Sequence, residues 1–281
     1  MTHLPSTGVL ILSIVVYTLV VFGLTELFRR YRKVAFVFII LSLFTFPLWK
    51  ENRDSWFEWA KILSVLLPTT LLGFMRLAEM GDYKGKFWDF FKKKWALWFL
   101  FGILFLNIME ASIRDLELGN YFNTITGFVL CVTIPFANNY WRFNKMEKGE
   151  LIVDFNWMWC LLYTTWNACF LLGSIPDEFA GGLAILIAAE FYSIGKRPDL
   201  YIMGRVYTLA LFVLQLGVCD VFSFMDSSAW YNADVVKWWG IINFVLAAIY
   251  LPYYIWQMKS GKGQKTFRNK HSFPDYDALT D

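Results

Sequence analysis

Long runs of apolar residues with almost no charge limit this chain to few kinds of fold. One example is WALWFLFGILFL, residues 95–106, which is followed by the polar residues Asn107 and Glu110. A membrane-spanning helix needs about 20 mostly apolar residues, and several runs of the chain approach or reach that length. Only 17% of the residues are charged, whereas soluble domains carry about 25%. These features predict an all-α, polytopic membrane protein.

Reading the apolar runs along the chain predicts about nine membrane-spanning helices. The second and seventh runs are short, so eight spans with one re-entrant segment remain an alternative. The predicted helices cover residues 8–28, 34–49, 57–77, 95–113, 121–141, 156–174, 179–195, 200–224 and 238–258.

The basic residues of the connections predict how the helices are oriented. Connections on the cytoplasmic side of a membrane collect Lys and Arg. Taken alternately, one set of connections and the C-terminal tail hold 21 of the 26 Lys and Arg residues, and the other set holds 5. This asymmetry predicts an outside N-terminus, a cytoplasmic C-terminus and nine crossings, in the plasma membrane or a bacterial inner membrane. The first apolar run follows no basic region and precedes no small-residue cleavage site, so we expect it to be kept as a span.

The chain divides into two parts by composition. Residues 1–258 form one predicted transmembrane helical domain. Residues 259–281 are rich in Lys and Gly and then acidic, and such a segment cannot bury enough apolar surface to fold alone. We therefore expect residues 259–281 to form a disordered cytoplasmic tail.

Polar residues recur at helical spacing inside several predicted spans. Asn107 and Glu110 share one helix face, and amides stand at similar predicted depths in three other helices. Because polar groups are costly in hydrocarbon, such residues usually face the interior of a helical bundle. Interhelical packing by hydrogen bonds is the plainer alternative for each amide. The predicted ligand site consists of Asn107, Glu110, Tyr163, Asn167, Gln215, Asn243 and Tyr250, with Glu110 able to bind a cation or a proton.

A second pair of charges is predicted nearer the cytoplasmic side. Glu190 and Arg205 lie about equally far from the short connection between the seventh and eighth helices. An antiparallel helical hairpin would place the two side chains at the same depth. We expect a structural ion pair, and a gate or a clamp for a ligand carboxylate is the alternative.

Several chemistries are disfavoured by the residues that the chain contains. Its two histidines, His3 and His271, lie near the two ends, and no nucleotide-binding glycine motif occurs. The four cysteines form no C-x-x-C pair, so the sequence predicts no metal site. These observations disfavour an enzyme and give no catalytic residues and no indication of a cofactor.

The resulting functional hypothesis is a secondary transporter or facilitator for a small solute, cationic or aromatic in character. A membrane sensor that binds a hydrophobic ligand is the alternative, and a membrane enzyme without histidine is the least favoured. The expected partners are the lipid bilayer and a small-molecule ligand or ion. Nucleic acid is not expected as a partner, and assembly into a homo-oligomer is left open.

Overall fold

A computed structural model describes residues 4–52, 56–145, 148–219 and 223–259. Helices account for 81% of the described residues. Residues 260–281, nearly all of the predicted disordered tail, lie outside them. The first six helices are α1 (Thr7–Arg30), α2 (Arg32–Leu43), α3 (Phe46–Asn52), α4 (Trp56–Glu79), α5 (Lys86–Phe91) and α6 (Lys94–Glu117). The other six are α7 (Tyr121–Val132), α8 (Ala137–Tyr140), α9 (Trp157–Ser174), α10 (Phe179–Ile194), α11 (Tyr201–Val218) and α12 (Ala233–Lys259).

Among the described residues, five helical segments are long and apolar enough to cross a membrane. The predicted helical fold is confirmed, and these five segments are compatible with the predicted membrane protein. Two further helices, α7 and α10, are apolar but shorter. The five segments are Thr7–Arg30, Glu58–Glu79, Lys94–Glu117, Pro198–Val218 and Ala233–Lys259.

Two of the predicted helices are divided or shortened next to a proline. The run at 34–49 divides into α2 and α3, because the ring of Pro47 excludes a continuous helix through the preceding turn. The run at 121–141 ends as a helix at Val132, shortly before Pro135, and the hydroxyl of Thr133 donates to the carbonyl of Val129 at 2.7 Å. The residue before a proline avoids helical backbone angles, so these two breaks follow from the local sequence.

A short antiparallel hairpin follows the break at Pro135. Its strands are β1 (Trp141–Asn144) and β2 (Glu150–Val153), with Trp141 paired to Val153 and Asn144 to Glu150. The prediction placed Trp141 at the end of a helix and the rest of this segment in a connection. The described residues therefore contain one two-stranded sheet in an otherwise helical fold.

Helices α10 and α11 form the centre of the packing. Helix α10 buries 12 of its 16 residues and packs on α1, α9 and α11, while α11 also packs on α3 and α4. Helices α6, α7, α9 and α12 form a second group that joins the first through α9 and α10. Gly181 faces the Phe212 ring and Gly204 faces the Tyr192 ring, which lets α10 and α11 approach closely.

The helix connections gather at two ends of the bundle. At the end that we call the basic end, the buried Arg76 donates five hydrogen bonds to the end of α1, the hairpin turn and Tyr207. The α10–α11 connection packs there as well, because Leu200 contacts Ile152 of the hairpin. At the opposite end, Asn52 donates to the carbonyl of Val218 at 2.8 Å.

Candidate functional site

Arg205 is a buried cation in the first turns of α11. Its side chain is 6% exposed, and its Nε and Nη1 atoms make no hydrogen bond with any described residue. The guanidinium carbon lies 6.0 Å from the centre of the Tyr163 ring of α9, a distance at which a cation is attracted to an aromatic face. Because a guanidinium stays charged in proteins, Arg205 keeps a buried positive charge with unused donors.

Glu190 lies on α10 and is also buried. The Thr164 hydroxyl lies 2.7 Å from the Glu190 Oε2 atom and 2.7 Å from the Tyr201 hydroxyl. Tyr201 lies within electrostatic range of both Glu190 and Arg205. We call this group of five residues, Tyr163, Thr164, Glu190, Tyr201 and Arg205, the Arg205 centre.

The predicted ion pair between Glu190 and Arg205 does not form. The hairpin of α10 and α11 does bring both charges to the same part of the bundle, near the basic end. Both residues are among those described, yet no nitrogen of Arg205 lies within 4.0 Å of a Glu190 oxygen. Each charge instead contacts α9: the Thr164 hydroxyl donates to Glu190, and the Tyr163 ring lies beside the Arg205 guanidinium.

A second polar group lies toward the opposite end of the bundle. The Asn243 amide donates to Asn123 Oδ1 at 2.8 Å, and its oxygen accepts from the Thr165 hydroxyl at 2.9 Å. Asn123 in turn donates to Asp115 Oδ2 at 2.7 Å, and the Trp239 indole donates to Thr165 at 2.8 Å. We call these residues the Asn243 network. It joins α6, α7, α9 and α12, and it uses the Asn243 amide for contacts within the protein.

Glu110 does not join the predicted amides. Its carboxylate pairs with Lys61 Nζ of α4 at 3.0 Å, and the two side chains are 50% and 52% exposed. Asn107, one turn earlier on α6, is half-buried. The prediction that Glu110 faces a shared cavity was wrong, because Lys61 supplies a partner on the outer face of the bundle.

The remaining predicted residues are dispersed. Gln215 accepts a hydrogen bond from Tyr17 at 3.2 Å, and it lines a cavity of about 10 Å³, close to the least space that one water molecule needs. Asn167 is half-buried, and no hydrogen bond of its side chain joins it to another described residue. Tyr250 is buried near Thr133 and Asn156. The predicted site therefore divides into separate groups.

Six residues of these groups were missed by the sequence reasoning: Asp115, Asn123, Thr164, Thr165, Tyr201 and Trp239. Asp115 lies just beyond the helix predicted at 95–113, and Thr164 and Thr165 are only weakly polar residues in an apolar run. Asn123 could have been identified from the sequence. It directly precedes the apolar segment TITGF, and a buried amide there needs a hydrogen-bond partner. Which partner it finds depends on helix packing, which residue spacing does not give.

The chain matches one protein-family model, and the comparison found no named relative. Residues 3–120 match a model described as a family of unknown function, DUF5692. The matched residues run from the start of α1 to the α6–α7 connection and so exclude the Arg205 centre. No curated protein and no solved structure matches the chain.

Proposed function

We propose that this chain is a carrier that moves a small solute across a cell membrane through the Arg205 centre. The observation that carries the proposal is a pair of opposite charges, Glu190 and Arg205, buried between α9, α10 and α11 without neutralising each other. Burying a charged side chain without an opposite charge as its partner is costly. Packing of the helices does not require two buried charges that are kept apart. A charge without an opposite partner is available to a solute.

We also propose nine crossings, an outside N-terminus and a cytoplasmic basic end. The crossings are α1, α2 together with α3, α4, α6, α7, α9, α10, α11 and α12. Their connections alternate between the two ends of the bundle, and the connections rich in Lys and Arg share one end. Excess positive charge on cytoplasmic connections supports this orientation.

A carrier must expose its site to each side in turn, and two helices contain a proline that permits bending. Pro68 lies inside α4 and Pro252 inside α12, and a proline frees a backbone carbonyl and bends its helix. These positions support a movement of α4 and α12 about a central α10–α11 pair.

The proposal is tested by solute uptake into vesicles that contain the purified protein. The assay uses a panel of labelled small organic solutes of both charges. The variant Glu190→Gln keeps the shape of the side chain and its contact with Thr164 but removes the charge. We expect its initial rate to fall by about tenfold or more, which corresponds to roughly 1.4 kcal/mol.

Glu110→Gln is the matched control, because it removes a carboxylate that is exposed and paired with Lys61 outside the centre. We expect Glu110→Gln to retain uptake within about twofold of the unaltered protein, since surface ion pairs contribute little. Uptake no faster than in empty vesicles for every solute would contradict the proposal, as would equal rates in the two variants.

A further inference from the structure

The two buried arginines of the bundle differ in how their donors are used. Arg76 is 1% exposed and directs its guanidinium at four carbonyls and the Tyr207 hydroxyl. Arg205 is nearly as buried, yet its Nε and Nη1 atoms have no partner among the described residues. Buried polar groups in folded proteins nearly always find a hydrogen bond. The unused donors of Arg205 therefore point to an acceptor from outside the chain.

We infer that Arg205 binds a carboxylate or phosphate group, so that the solute of the proposed carrier is a small anion. This inference rests on the proposed function, since it names the solute class for the same site. A guanidinium forms its strongest hydrogen bonds with carboxylate and phosphate oxygens, because both partners are charged. Within the centre, Glu190 accepts a hydrogen bond from Thr164 and makes no ion pair with Arg205, which leaves the guanidinium donors to a solute anion.

Aromatic rings lie beside Arg205. The rings of Trp159 and Tyr163 stack at 5.2 Å between centres, and Tyr163 meets Tyr201 edge-on at 5.9 Å. The guanidinium carbon lies 6.0 Å from the centre of the Tyr163 ring, and a cation–π contact of this kind uses none of the guanidinium N–H donors. The donors therefore stay available to an anion.

The test measures anion binding by thermal unfolding of the purified protein in detergent. The probes are sodium acetate, sodium phosphate and sodium chloride at matched ionic strength, together with a micelle-soluble anionic phospholipid. A ligand that binds only the folded state raises the unfolding temperature in a saturable way. We expect acetate, phosphate or both to do so in the unaltered protein, with no saturable rise in Arg205→Gln.

Arg114→Gln is the control, because Arg114 is exposed and pairs with Glu117 on the surface. It should respond to the anions as the unaltered protein does, which separates binding from the general stabilisation that phosphate gives to many proteins. A response to acetate alone identifies carboxylates, and a response to phosphate alone identifies phosphates. A response only to the phospholipid, or an equal response in Arg205→Gln, would overturn the inference.

Arg205→Lys provides a second route if the Gln variant does not fold. Lysine keeps the positive charge but loses the planar set of donors, so we expect binding weakened by about tenfold. Saturable binding without uptake in vesicles would uphold the anion site and remove the carrier proposal. Uptake without saturable binding would remove the anion site and leave the carrier proposal in place.

Discussion

At the scale of single residues, hydrogen-bond saturation distinguishes Arg205 from the buried polar groups that hold the bundle together. Asn243 makes three hydrogen bonds inside its network, and Arg76 makes five at the basic end. Arg205 lies at comparable burial, yet its Nε and Nη1 atoms make no hydrogen bond with a described residue. Saturated groups hold helices together, and a solute would have to replace their existing bonds. A buried group with unused donors is available to bind an acceptor from outside the chain.

The variant Asn243→Ala tests the structural role of the Asn243 network. It removes three hydrogen bonds and leaves Asn123 and Thr165 with unsatisfied groups. At the average of about 0.6 kcal/mol for each interhelical bond in a membrane protein, we expect a loss of about 2 kcal/mol in the free energy of unfolding. The measurement is the unfolding midpoint in detergent.

Asn167→Ala is the matched control for this prediction, since Asn167 is an amide on α9 whose side chain makes no hydrogen bond to another described residue. We expect a change of less than about 0.5 kcal/mol there, as is usual for substitutions away from packed or bonded groups. Equal losses in both variants would show that the network adds no specific stability.

At the scale of elements, the sequence predicted the existence of most helices better than it predicted their ends. The helices α1, α6 and α12 appear where long apolar runs stand, because length and hydropathy determine them locally. The break at Pro135 falls inside the helix that the apolar run predicts at 121–141. Whether a proline bends or ends a helix depends on whether neighbours satisfy the freed carbonyls, and only the packing shows this.

The close packing of α10 on α11 gives a prediction at this scale. A Cβ atom added at Gly204 would lie 2.6 Å from the Tyr192 Cδ2 atom. The ring cannot readily move away, because the Tyr192 hydroxyl donates to Glu26 of α1 at 2.7 Å. Overpacking costs about 1–3 kcal/mol, so we expect Gly204→Ala to lower the unfolding temperature.

Gly102→Ala is the control for this prediction, because a Cβ atom at Gly102 of α6 meets nothing within 4 Å. Alanine favours a helix over glycine by about 1 kcal/mol, so this variant should be neutral or slightly more stable. Thermal unfolding of the two variants side by side is the measurement. A Gly204→Ala protein as stable as Gly102→Ala would contradict the packing seen between α10 and α11.

At the scale of the whole molecule, the distribution of charge was predictable and the meeting of polar side chains was not. The alternation of basic connections follows from counting Lys and Arg, and the described connections do gather at two ends. Glu110, by contrast, was expected among amides and pairs with Lys61 on the outer face. Spacing along one helix gives the face of a residue but not the neighbour that covers that face.

Two cavities among the described residues lie away from the Arg205 centre. The cavity beside Gln215 holds about 10 Å³, and a larger groove of about 510 Å³ lies on the surface along the start of α12. The proposed carrier therefore relies on helix movement to admit a solute to the Arg205 centre. Such movements of packed helices occur in microseconds to milliseconds, which allows a turnover set by conformational change rather than by diffusion through a pore.

The most direct test of this account is an experimental density map of the protein in a lipid nanodisc with acetate and phosphate present. We predict nine crossings of the lipid layer, Glu190 held by Thr164, and density for an anion within about 3 Å of the Arg205 Nε or Nη1 atom, the usual length of a charge-assisted hydrogen bond. A map in which Arg205 turns to pair directly with Glu190, with no other density beside its guanidinium, would contradict the central claim.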